Sequence, residues 1–171
     1  DHEIGRRGEI DGLRSQIDGV GIQVTDAQQK LEAVGAIQNK LLPLTAQQMH
    51  TEHHALLSAV GKKYGVQPRV ITAIWGLESN FGRFAGVRPT IPALATLAYD
   101  PRRATLFRKE LFSALEIVNR GDVELERLKG SWAGALGQPQ FMPSTYLEFA
   151  QDFDGDGRRD IWSSQADVFA S

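Results

Sequence analysis

Apolar residues in this chain recur at helical spacing between glycine and proline punctuation, and no stretch alternates apolar and polar residues long enough to read as a convincing strand. Such a chain must bury helix faces against one another. From Ala46 to Tyr64, the positions Met49, His53, Leu56, Leu57 and Val60 mark one amphipathic helix, with Gly61 and Gly65 as its stop. Gln67-Pro68 opens the next, with Pro68 where a first turn tolerates it, and Gly82 closes it. Further helices are expected over residues 103–119 and 143–150, with loops at Gly130–Pro139 and Asp152–Asp160. The expected class is mainly α with a small hairpin.

Residues 10–45 also read as helical. Ile10, Leu13, Ile17, Val20, Val24, Leu31, Val34 and Leu41 share one heptad register. Gly12, Gly19, Gly21 and Gly35 oppose a long helix, each costing about 1 kcal/mol relative to alanine. Two readings stand: self-association through residues 10–42, or a helix or broken helical pair that docks its stripe on its own chain. Pro43 marks the boundary, giving an N-terminal helical segment, 1–45, and a second domain, 46–171.

With 171 residues, 42% of them hydrophobic, the chain has enough apolar material for a self-sufficient core. A formal net charge of -2 argues against a nucleic-acid partner, which needs a basic stripe to neutralise phosphates. The absence of cysteine excludes disulfides and thiolate metal sites. No apolar run is long enough for a membrane span, and the start lacks a charged-then-apolar signal pattern. If the protein is exported, its address is not in this sequence.

In VITAIWGLESNFG, Val70, Ile74 and Leu77 fall on one helical face, and Glu78 lies one turn beyond Ile74. Read as a buried stripe, this puts the Glu78 carboxyl at a poorly solvated border. Such a setting favours the protonated form needed to donate to a leaving glycosidic oxygen. The alternative is a helix-end surface residue paired with Arg83. Trp75, Trp132, Phe141, Tyr146 and Trp162 offer faces for sugar stacking, although aromatics at such spacing more often fill a core.

Downstream, Asp152, Asp154, Asp156, Gly157 and Asp160 occupy positions 1, 3, 5, 6 and 9 of an EF-hand-like loop, a pattern that gathers hard oxygen ligands around calcium. Arg158, at position 7, would offer only its backbone carbonyl. Ser163 stands at position 12 instead of the usual bidentate glutamate. A stabilising Ca²⁺ is the expectation, and a solvated acidic run the alternative.

ESNFG, followed by ALATLAYDPRR (93–103), GSWAGALGQPQFMPSTY (130–146) and DFDGDGRRDIW (152–162), resembles the lytic murein transglycosylase B family. The resemblance implies an α+β, lysozyme-like catalytic domain acting on peptidoglycan glycan strands in the periplasm or cell envelope of a bacterium. In that family the glutamate that falls on Glu78 is the only catalytic acid. It implies sugar-binding roles for Ser131 and Gln140, and for Ser79 and Asn80 of the ESNFG motif, and Asp167 as the last calcium ligand. It also implies a saccharide cleft completed by residues beyond 171, and no organic cofactor. The rival readings are a non-catalytic murein- or partner-binding module stabilised by calcium, and a hydrolytic muramidase.

Overall fold

The computed structural model describes Gln28, Glu32 and residues 42–171. Tertiary contacts divide the chain between Thr45 and Ala46. Before that division Gln28, Glu32 and residues 42–45 are helical; the heptad stripe and its proposed self-association otherwise fall outside the described residues.

From Ala46 onward the domain is helical, as its punctuation requires. Residues 46–52 are helical, a turn falls at His53, and α1 continues over His54–Tyr64, ending on left-handed Gly65 whose N–H bonds Gly61 O. Helix α2, Pro68–Ser79, carries Pro68 in its first turn. Helix α3 spans Thr90–Tyr99 and buries Thr90, Leu94 and Ala98, one turn apart. Helix α4, Ala104–Asn119, buries Phe107, Glu110, Ala114 and Ile117 along one face. Two short helices follow, α5 at Pro143–Phe149 and α6 at Gln165–Ala170.

Strand content among the described residues is slight. Strand β1, Arg88–Pro89, pairs antiparallel with β2, Lys129–Gly130, in the register Arg88 to Gly130 and Pro89 to Lys129. The expected hairpin is therefore a long-range pair, and isolated bridges join Gly130 to Leu136 and Leu136 to Phe141.

The core has two parts. Leu94, Phe107, Ile117, Leu128, Leu136 and Tyr146 fill the space among α3, α4 and α5. Leu57, Val60, Trp75, Phe81, Val168 and Phe169 fill the space among α1, α2 and α6. Gln138, 5% exposed, ties the two together: its Oε1 accepts from Trp75 Nε1 at 2.6 Å, and its Nε2 donates to Trp162 O at 2.9 Å.

Glu110 illustrates how an acid survives burial. Only 3% exposed, its carboxylate accepts the Ser144 N–H at 2.9 Å and the Ser144 hydroxyl at 2.8 Å, capping the start of α5 from outside that helix. Glu110→Ala strands both donors, and a loss of about 2 kcal/mol is expected, read as a lower urea midpoint at unchanged slope. Asp100 is likewise a turn residue. The Arg102 side chain and N–H bond its carboxyl and hold it down at about 2.

Candidate active site

Helix α2 buries Thr72, Trp75, Gly76 and Ser79. Val70, Ile74 and Leu77 are 43%, 51% and 77% exposed, so the stripe expected to be buried faces outward, and Glu78 is exposed beside it. The cause is simple: Trp75 anchors the helix, packing edge-on against Phe81, Phe169 and His53, and this sets the buried face about half a turn away from the aliphatic stripe. The helix is apolar on both faces, and spacing alone does not choose between them. Among the described residues Glu78 makes no side-chain hydrogen bond or ion pair, with Arg83 or any other group.

The residues after Glu78 form an unusual turn. Asn80, Phe81 and Gly82 have φ of 48°, 59° and 80°, placing successive residues in the left-handed region that side chains with a Cβ avoid. The strain is held by packing and hydrogen bonds. Phe81 folds back onto Gly76, where an added Cβ would come within 2.7 Å of its ring. Ser79 donates to Trp75 O at 3.2 Å and accepts from Gly82 N–H at 3.0 Å. A Cβ on Gly82 would meet Gln138 Oε1 at 2.6 Å. Backbone strain of this kind clusters at functional sites because surrounding structure must hold it in place. Ser79, expected to touch substrate, is instead 1% exposed with its hydroxyl committed to the turn. Asn80 caps α2 and is half-buried.

The glycine-rich block meets α2 through Gln138, which accepts from Trp75 Nε1. Ser131 Oγ accepts the N–H groups of Ala133 and Ala135, at 3.3 and 3.1 Å, shaping its loop while staying half-buried. Gln140 has φ of 55°, so every non-glycine residue at positive φ among the described residues lies in ESNFG or in this block. Its Nε2 donates to Gly137 O at 2.8 Å. Pro139 and Phe141, on either side of Gln140, line an apolar groove of about 260 Å³ whose other walls include Ile74, Trp75 and Phe169. Ile74 stands one turn before Glu78 on the same face. Of the aromatic stacking candidates, Trp75 and Tyr146 are buried, while Trp132 is 73% exposed.

Gln138, which holds this arrangement together, is the functional neighbour that spacing did not single out. Two glutamines flank Pro139, and only their contacts tell the buried staple, Gln138, from half-buried Gln140.

The acidic loop is built on its own carboxylates. Asp152 accepts Gly155 N–H at 2.7 Å and Gly157 N–H at 2.9 Å; Asp154 accepts the Ser164 hydroxyl at 2.7 Å. Asp167 is fully buried and accepts from Phe153 N–H and Asp160 N–H, each at 2.8 Å. Burial pushes its carboxyl above the usual range against those two donors, and the charges of Asp154 and Asp152 push the same way. Oxygens of Asp152, Asp154 and Asp167 lie within 4.8 Å of one another. Asp156 and Asp160 lie outside this cluster of carboxylates. Asp156 accepts Arg158 N–H at 2.8 Å. Asp160 caps the following turn, accepting from Trp162 N–H and from Ser163 through both its N–H and hydroxyl. Burial raises Asp160, but the Ser163 and Trp162 donors and the Arg127 charge outweigh it and the net shift is downward.

A helical domain that presents a free carboxylate at the end of one helix, beside a groove walled by a glycine-rich loop, has the lysozyme-like architecture of glycan-strand lyases. Residues 37–171 match the family model described as Transglycosylase SLT domain, and the chain belongs to that family. It is 41% identical over 112 residues to the membrane-bound lytic murein transglycosylase B of Escherichia coli, covering 65% of this chain and 31% of that protein. SltB3 from Pseudomonas aeruginosa, solved in complex with NAG-anhNAM-pentapeptide, superposes with a TM-score of 0.74 at 45% identity, covering 76% of this chain and 35% of that one. The Escherichia coli lytic transglycosylase Slt35, solved in complex with calcium, gives 0.67 at 38% identity, covering 71% of this chain and 39% of that one. The chain thus spans about a third of the length of these relatives.

Proposed function

We propose that residues 46–171 carry the catalytic acid of a peptidoglycan lytic transglycosylase, working in the periplasm or cell envelope on the bond between N-acetylmuramic acid and N-acetylglucosamine. The observation that carries this reading is Glu78: free, exposed, and at the head of a strained turn one helical turn from the groove. As the carboxylic acid, Glu78 donates its proton to the bridging glycosidic oxygen while the bond from that oxygen to C1 breaks. As the carboxylate, it takes the proton from the muramyl C6 hydroxyl while O6 bonds to C1. The products are a 1,6-anhydromuramyl end and a new glucosamine 4-hydroxyl, with no water consumed.

An ordinary glycosidase adds a second carboxylate about 5–9 Å away. Glu110 and Asp100, the first acids after Glu78, are committed to Ser144 and Arg102, which supports a single-acid route. The dry surroundings that favour a protonated carboxyl come from the glycan itself. Covering Ile74 and Leu77, it excludes water beside Glu78. Gln140 and Ser131, both in the glycine-rich block, supply the hydrogen-bonding partners for N-acetyl and hydroxyl groups in this reading, and Asn80 caps the helix that carries the acid. Mass spectrometry of murein digested with this chain tests the reading. Anhydro ends support it, whereas reducing ends, or no products from folded protein, contradict it.

Calcium fits the acidic loop. Ligand distances of about 2.3–2.6 Å require oxygens separated by no more than about 5 Å. Asp152, Asp154 and Asp167 meet that limit, and a cation relieves the mutual repulsion that now bears on buried Asp167. Bound there, it supplies charge neutralisation and no chemistry. At about 100 times its dissociation constant calcium should add about 2.7 kcal/mol of stability, or about 5–10 °C in Tm. The shift should largely vanish in Asp154→Asn, as differential scanning fluorimetry would read.

A further inference from the structure

His50 and His54 are used by nothing described above. His53 N–H donates to Met49 O at 3.0 Å and Leu57 N–H to His53 O at 2.9 Å, so four-residue spacing carries across the turn at His53. The imidazoles of His50 and His54 consequently stand one turn apart on one side of the helix, edge to face, with centroids 5.9 Å apart and planes at 88°. His54 is exposed and His50 half-buried.

The proton on His50 is fixed by its neighbour. His50 Nδ1 lies 3.0 Å from Thr72 Oγ1. A hydroxyl carries one hydrogen, and that of buried Thr72 is directed to Pro68 O at 3.0 Å. Thr72 therefore accepts, His50 donates from Nδ1, and neutral His50 presents a bare lone pair at Nε2. A histidine whose other ring nitrogen donates in this way is pre-oriented as a metal ligand.

We infer that His50 and His54 form a site for a divalent transition metal of the zinc class, with water filling the remaining positions. Two imidazoles bound through nitrogen at about 2.0–2.1 Å to one ion hold their centroids about 5–6 Å apart at open bond angles, which is the separation already present. A recess of about 510 Å³ beside His50 leaves room for the water ligands. Arg69 lines that recess and its charge works against a cation; its Nε donates to Gln67 Oε1 at 2.6 Å. Nitrogen donors separate this site from the acidic loop, where carboxylate oxygens prefer calcium. An ion here would clasp the helical residues 46–52 to α1 across the turn at His53.

The test is calorimetric titration of zinc chloride into the full chain with the acidic loop kept saturated by calcium. One zinc should bind, with affinity falling at least ~10-fold in His54→Ala and in His50→Ala, since each removes one of only two protein ligands. Thr72→Val, which leaves both imidazoles but removes the acceptor, should weaken binding about 10-fold or more. The imidazole nitrogen resonances of His50 and His54 should shift together on titration. His54→Ala alters an exposed side chain, so a normal melting curve for it keeps the comparison valid. Zinc binding that is absent in the wild-type chain, or undiminished in either His54→Ala or Thr72→Val, would overturn the site.

Discussion

Glu78→Gln should lower the release of anhydromuropeptides from purified murein by at least ~100-fold, the range expected when a general acid is removed, while the melting temperature stays where it was. The amide keeps the shape of the side chain but has no proton of suitable acidity to give and no basic oxygen to take one back. Both halves of the proposed reaction use that proton, so the loss should appear in kcat more than in KM. Stability should not follow, because an exposed side chain without a partner among the described residues contributes within about 0.5 kcal/mol. A variant that keeps full activity removes Glu78 from the chemistry.

The second large effect belongs to Gln138→Leu. Leucine fills a similar volume but leaves Trp75 Nε1–H and Trp162 O without the partners they have at 2.6 and 2.9 Å. Each stranded group costs about 1–3 kcal/mol, so a combined loss of about 3 kcal/mol is expected. For a domain of this size that is about 6–12 °C in Tm. Activity should fall further than stability explains, because Gln138 also fixes Trp75, and with it the end of α2, against the loop that carries Gln140. Equal fractional losses in folded protein and in activity would show that Gln138 is a structural staple alone.

Much of the helical framework can be read from punctuation. Pro68 starts α2 and Pro143 starts α5 because a first turn has no use for the missing N–H, and Gly65 stops α1 because it adopts φ of 71° at no steric cost. Helix α4 falls within one residue of its expected start, since its buried positions recur on a single face. Helices α3 and α6 are not legible in the same way: α3 is apolar nearly all round, and α6 is only six residues long and starts from Ser164, whose side chain accepts from Asp167 N–H.

The site was legible as blocks of residues and not as a geometry. Glu78 stands out from its neighbours in the sequence, but its exposure depends on Trp75 claiming the other face of α2, a choice made by the aromatic contacts of residues 53, 81 and 169. Ser79 looks like a ligand-binding hydroxyl until its two hydrogen bonds to Trp75 O and Gly82 N–H are seen. In the acidic loop the pattern of aspartates says that carboxylates gather. It does not say that Asp160 turns to Ser163 or that distant Asp167 lies beneath Asp152 and Asp154, because those are consequences of where α6 packs.

Digestion of murein by this chain in water enriched in oxygen-18 asks most directly whether one carboxylate does the work with the sugar as its own nucleophile. Muramyl ends formed by attack of O6 on C1 should carry no heavy oxygen in the mass spectrum. Heavy oxygen at C1 of those ends would mean that water is the nucleophile, and the single-acid route would be wrong.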